Sequence, residues 1–327
     1  MIRGFYTLFF VALFFVPLTT FAQGYNPQDS LSVSIVPEHP KPYETVSVTP
    51  RSSLLDLISS TITISANGQK VEQGSGLVTG YVRAGAPGEK TTITVSVVSG
   101  GTTYTKTVVI RPASVALVVE PTSTTHPFYL GGSLVASEGP VRLVAIPDFQ
   151  STPGVSIKNE QLTYTWRLGQ QVLQTVSGIG KSSVTATAPV RYRDATLSVT
   201  VTNSENTMVA YASTSIAPTD PLIKVYANDP LLGPLFDHAL PNSLTMETTE
   251  QTFRMVPYFF ATTPSMSWNV NGSTGGVERD VTVRATGNGK GSAVIEASAK
   301  LAETFQNAKT SLSVSFGEQS GLGIFGL

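Results

Sequence analysis

Catalysis by a side chain needs a nucleophile with a base in reach, or two carboxylates at working distance. The imidazoles of this sequence are His39, His126 and His238, in the settings Glu38-His39-Pro40, Thr125-His126-Pro127 and Asp237-His238-Ala239. Asp237-His238 is an acid–imidazole neighbour pair. Adjacent residues on a loop are expected to point in different directions, so a solvated loop is favoured over a catalytic dyad. Neither Gly-x-Ser-x-Gly nor His-Glu-x-x-His occurs, so the motifs of a serine hydrolase and a zinc protease are missing. The chain has no cysteine, which excludes disulfides, thiolate nucleophiles and Cys-type metal centres. Asp220, Asp229 and Asp237, with Asn228 as a carbonyl donor, are the carboxylates that could gather around Ca²⁺. No Asp-x-Asp-x-Asp loop is present, and the turn preference of Asp-Pro accounts for them. We therefore expect no catalytic residue, no metal and no cofactor.

Binding chemistry is better represented. Pro127-Phe128-Tyr129 and Pro257-Tyr258-Phe259-Phe260 are aromatic clusters, each following a proline. Exposed, the rings of Phe128, Tyr129, Tyr258 and Phe259 could stack on sugars. Buried, they would fill the end of a core, which is the favoured expectation for Pro257–Phe260. The segment from Gly317 carries Leu322, Ile324, Phe325 and Leu327 among glycines. It reads either as a docking strand for a partner's sheet edge or as a frayed terminus. Lys plus Arg number 21 against 22 Asp plus Glu, a net charge of -1. Nucleic acid, which requires a basic stripe, is not an expected partner.

The elements that must position these residues are strands. Ile93-Thr94-Val95-Ser96-Val97 and Leu197-Ser198-Val199-Thr200-Val201 show the period-2 alternation of half-buried antiparallel strands. Ser53–Ile58 could form one helical turn, and Lys300–Lys309 a helix or a hairpin. A repeat appears when the turns are aligned. Ile64-Ser65-Ala66-Asn67-Gly68, Trp166-Arg167-Leu168-Gly169-Gln170 and Trp268-Asn269-Val270-Asn271-Gly272 lie 102 residues apart each time. Asn-Gly favours a type I′ hairpin, which also accounts for the Asn271-Gly272-Ser273 sequon. Each unit opens with a short strand running into a proline loop, and the stretches between Pro121 and Pro147 and between Pro230 and Pro257 are long, which makes modules two and three the better places for a binding surface. We expect an all-β chain: three tandem immunoglobulin-like antiparallel β-sandwiches after a signal peptide. The modules are drawn at 31–112, 113–218 and 219–317, with a linker at 23–30 and an apolar Gly-rich tail at 318–327. A tryptophan on the third strand would fill the space between sheets. Ile64 fills less, so other groups must close the first core.

Leu162-Thr163-Tyr164-Thr165-Trp166 with Leu197–Val201, and Ser267–Gly272, resemble bacterial immunoglobulin-like and PKD-like surface modules. Pro127-Phe128-Tyr129, Asp229-Pro230-Leu231-Leu232-Gly233 and Pro257–Phe260 resemble three-module secreted proteins of small-genome bacteria. The resemblance implies an exported contact protein.

Arg3 followed by an uncharged run from Phe5 to Phe21 and then Ala22 reads as a secretory signal peptide. Cleavage is expected after Ala22, with retention as an anchor the alternative. The expected product is secreted and cell-surface associated, with no transmembrane segment after cleavage. Its expected role is a non-enzymatic structural or adhesive element of the cell surface or envelope, contacting other envelope or surface proteins. A carbohydrate-binding accessory protein, with glycans as partners, and an assembly factor docked by its tail are the alternatives.

Overall fold

The computed structural model describes residues 30–286 and 290–317. The same seven strands recur three times. First come Ser32–Val36, Thr45–Arg51, Thr61–Ala66, Gln69–Ser75, Gly80–Arg83, Thr91–Ser99 and Thr102–Ile110. Next are Ser114–Pro121, Pro140–Asp148, Thr163–Leu168, Gln171–Val172, Ser183–Thr187, Ala195–Thr202 and Val209–Ile216. Last are Leu222–Asp229, Glu250–Tyr258, Ser265–Val270, Ser273–Gly276, Asp280–Arg284, Gly291–Leu301 and Gln306–Phe316. In each set one sheet has the order first-second-fifth and the other fourth-third-sixth-seventh. These are seven-strand, two-sheet sandwiches of immunoglobulin-like architecture, with the fourth strand paired to the third. In the third set, Ser243–Met246 adds a strand running parallel to Gln306–Phe316.

By compactness the chain forms two units. Among the described residues, one is drawn from 30–35, 47–81 and 93–108, and the other from 36–46, 82–92, 109–286 and 290–317. The second and third sandwiches both belong to the latter.

Burial follows the sequence period. Along Thr91–Ser99 the alternate residues Thr91, Ile93, Val95 and Val97 are buried. Ile64, Trp166 and Trp268 occupy one position on the third strand, opposite Val95, Val199 and Ala297 on the sixth. All three are buried. An indole N–H placed in a core needs an acceptor. Trp166 Nε1 donates to the Lys181 carbonyl at 2.8 Å, and Trp268 Nε1 to the Glu278 carbonyl at 3.1 Å. Both carbonyls lie two residues ahead of the fifth strand. Around the smaller Ile64 the fifth strand carries Gly80. A Cβ there would fall 2.5 Å from Ile64 Cδ1, so backbone approach occupies part of the space an indole takes elsewhere.

The expected hairpins form. Asn67 and Gly68 have φ of 50° and 80°, and Asn271 and Gly272 50° and 83°, as a type I′ turn requires. Ser53–Ile58 is not helical. The Ser52 hydroxyl accepts from the Leu54 and Leu55 amides, and Asp56 Oδ1 from the Ile58 and Ser59 amides. Those side chains compete for the donors a helix would need. Lys300–Lys309 is a hairpin, with Ala302–Thr304 as a single 3₁₀ turn at its tip. Among the described residues no helix is long and apolar enough to cross a membrane.

Candidate functional site

The segment between the first and second strands of the second sandwich, residues 122–139, is laid against the third sandwich. Thr124 donates its N–H to the Phe260 carbonyl at 2.8 Å, and its own carbonyl accepts from the Phe259 N–H at 2.7 Å. The Thr124 hydroxyl oxygen accepts from the Phe260 N–H at 3.1 Å. Further along, the Thr219 N–H donates to the Val135 carbonyl at 2.7 Å, and Ala136 bridges to Thr219 in parallel. Ala136 is itself part of the third sandwich's core, with Phe253, Phe260 and Trp268. The buried Gln306 amide closes the contact. Its Nε2 donates to the Ser137 carbonyl, and its Oε1 accepts from the Ala261 N–H at 2.9 Å. Arg191 pairs with Asp220 at 2.6 Å on the same joint. The long segment is thus a strap that fixes the second sandwich to the third.

Aromatic rings fill the strapped joint. Tyr129 meets Tyr258 edge-on at 5.3 Å and Phe259 at 5.9 Å between ring centroids. His126 lies over Phe236 at 3.9 Å, and Phe128 stands 5.8 Å from Phe236. The Tyr226 and Tyr258 hydroxyls share a hydrogen bond of 2.9 Å. Burial, with the Tyr226 hydroxyl beside it, pushes the Tyr258 phenol well above the ordinary tyrosine range. Burial holds the His126 imidazole below its usual range, and the positive charges of Arg254 and Arg279 add to this. Arg254 is bound by both carboxylate oxygens of Asp280, with Nη2 at 2.6 Å from Oδ2.

The four aromatics named from sequence separate in exposure. Tyr258 and Phe259 are each 4% exposed, Tyr129 40% and Phe128 72%. Tyr258 and Phe259 are buried with Tyr226 and Val256 in a cluster apart from the third sandwich's core, which takes Phe260, and Phe128 remains open to solvent. Asp237 and His238 do not point apart: Oδ2 and Nδ1 lie 2.7 Å from each other. Both side chains are largely exposed, so the loop lets them pair in solvent, and the hydrogen bond from His238 holds the Asp237 carboxyl below its usual range. Asp220 serves Arg191, and Asp229 Oδ1 caps the Leu231 and Leu232 amides. Among the described residues no three His, Asp or Glu groups gather as metal ligands. Ala22, Leu322, Ile324 and Phe325 lie outside the described residues.

Thr124, Gln306, Phe236 and the two arginines carry no local motif. The sequence signals that pointed here were the aromatic clusters and the length of the segment after Pro121, through the rule that long loops have a use.

Three N-terminal domains of the Highly Immunogenic Outer Capsid protein of bacteriophage RB49 match at 15% identity, covering 87% of this chain and 98% of that one, with a TM-score of 0.27. Fibronectin(III)-like modules of Clostridium thermocellum CbhA match at 11% identity over 57% of this chain and 94% of that one, TM-score 0.28. The central fibronectin-III array of RIM-binding protein matches at 12% identity over 88% and 96%, TM-score 0.26. No family model matches the chain, and no curated protein does.

Proposed function

We propose that the chain is a non-enzymatic exported protein of the cell surface or envelope, acting by spacing and protein contact. In this proposal 31–112, 113–218 and 219–317 are its modules, of the bacterial immunoglobulin-like and PKD-like surface kind. The strap is the observation that carries the proposal. A buried glutamine, a pair of backbone hydrogen bonds through Thr124 and a shared ring cluster resist hinging between two sandwiches. A joint of this kind suits an element that spaces or presents a surface. Fractionation of cells making the intact chain tests this. The protein is expected in the envelope fraction and open to external protease, and Gln306→Ala is expected to lower its retention there. Recovery from the cytoplasmic fraction would overturn export, and equal retention of the variant would remove the strap from the mechanism.

A second proposal is an accessory protein that binds glycans through exposed rings. The 72% exposure of Phe128 beside the joint favours it. Loss of glycan-array signal in Phe128→Ala, with an unchanged thermal midpoint, is the expected outcome. An unchanged array would dismiss this ring as the contact.

A further inference from the structure

The strapped joint carries a pocket of about 370 Å³, open on one side to solvent and within the usual size range for a small-molecule site. Its walls include Thr125, His126, Phe236, Arg254, Thr263 and Arg279. Asp280 neutralises Arg254. The Arg279 guanidinium has no carboxylate partner among the described residues. Burial, then the charge of Arg254 and last that of Arg279 hold the neighbouring His126 imidazole toward neutrality. The hydroxyls of Thr125 and Thr263 also make no hydrogen bond within the described residues. The pocket thus joins an apolar, ring-bearing wall to the exposed Arg279 guanidinium, the exposed Thr263 hydroxyl and the half-buried Thr125 hydroxyl.

We propose that this cavity binds a carboxylate-bearing sugar unit, a uronic acid of an acidic polysaccharide, with Arg279 on the carboxylate and Thr125 and Thr263 on ring hydroxyls. The planar guanidinium fork matches a carboxylate in bidentate fashion. The apolar walls are suited to the C–H face of a pyranose.

Calorimetric titration of the intact chain with a glucuronate-terminated oligosaccharide tests the assignment, beside its glucose-terminated counterpart and a tripeptide with a free carboxylate. Saturable binding of the acidic sugar is expected, at least tenfold tighter than either comparison. Arg279→Gln should weaken it tenfold or more, with the thermal midpoint unchanged. Arg279→Lys should restore part of the loss. Arg51→Gln, on the first sandwich, should change nothing. Equal binding of the neutral sugar, preference for the tripeptide, or full affinity in Arg279→Gln would overturn the proposal.

Discussion

Trp166 and Trp268 each combine a large buried ring with one hydrogen bond to a carbonyl ahead of the fifth strand. Truncation removes the apolar contacts and leaves both a cavity and an unpaired acceptor. Trp268→Ala is expected to cost about 3–5 kcal/mol, read as a lower denaturant midpoint for the third sandwich. Gly80 is the converse case. Gly80→Ala would force a methyl onto Ile64, and overpacking of this kind costs about 1–3 kcal/mol; thermal unfolding of the variant checks it. His126 gives a pH dependence. Its folded pKa lies below the ordinary 6.5, so the unfolded chain binds the proton more readily. The resulting stability is present above pH 6.5 and lost as pH falls through the folded value. Thermal midpoints measured downward from pH 7.5 should fall less steeply in His126→Gln than in the parent chain.

Among the elements, the strap departs most from what an isolated sandwich would need. Residues 122–139 could have been an open binding loop, and their length alone does not distinguish the two. Thr124 pairs with Phe259 and Phe260 because those residues leave the second strand of the third sandwich with unpaired backbone groups. Phe259 takes φ 62° there, a conformation that turns the chain toward the strap. Gln306 supplies the remaining side-chain link. In Gln306→Ala the Ala261 N–H and the Ser137 carbonyl lose their partner in a buried setting, at about 1–3 kcal/mol for an unsatisfied group. Hydrogen exchange at the Ala261 and Phe260 amides should accelerate in this variant while amides of the Thr163–Leu168 strand stay protected. Uniform acceleration of both would mean that the glutamine supports a fold and not a joint.

At the scale of the molecule, the repeat spacing leads one to expect linkers open to protease at Arg111–Ser114 and at Ala217–Pro221. Around the second of these, Thr219 is hydrogen-bonded to Val135, and Asp220 is paired with Arg191. Limited proteolysis should therefore cut slowly at Ala217–Pro221 in the parent chain and faster in Gln306→Ala. Rapid cutting of both would show that the strap opens in solution.

Low charge, absent cysteine, period-2 runs and the 102-residue recurrence of Ile64, Trp166 and Trp268 determined by themselves that the chain is a run of sandwiches. They did so because alternation, hairpin turns and a core-filling ring are local properties, written within a few residues of where they act. The pairing of Asp237 with His238 and the exposure of Phe128 were decided by tertiary structure alone. So was the meeting of Thr124 with Phe260, 136 positions along the chain. Contacts at that separation depend on how two finished sandwiches present their ends. No pattern within either segment encodes that, which is why the ring cluster and its cavity emerged only in the fold.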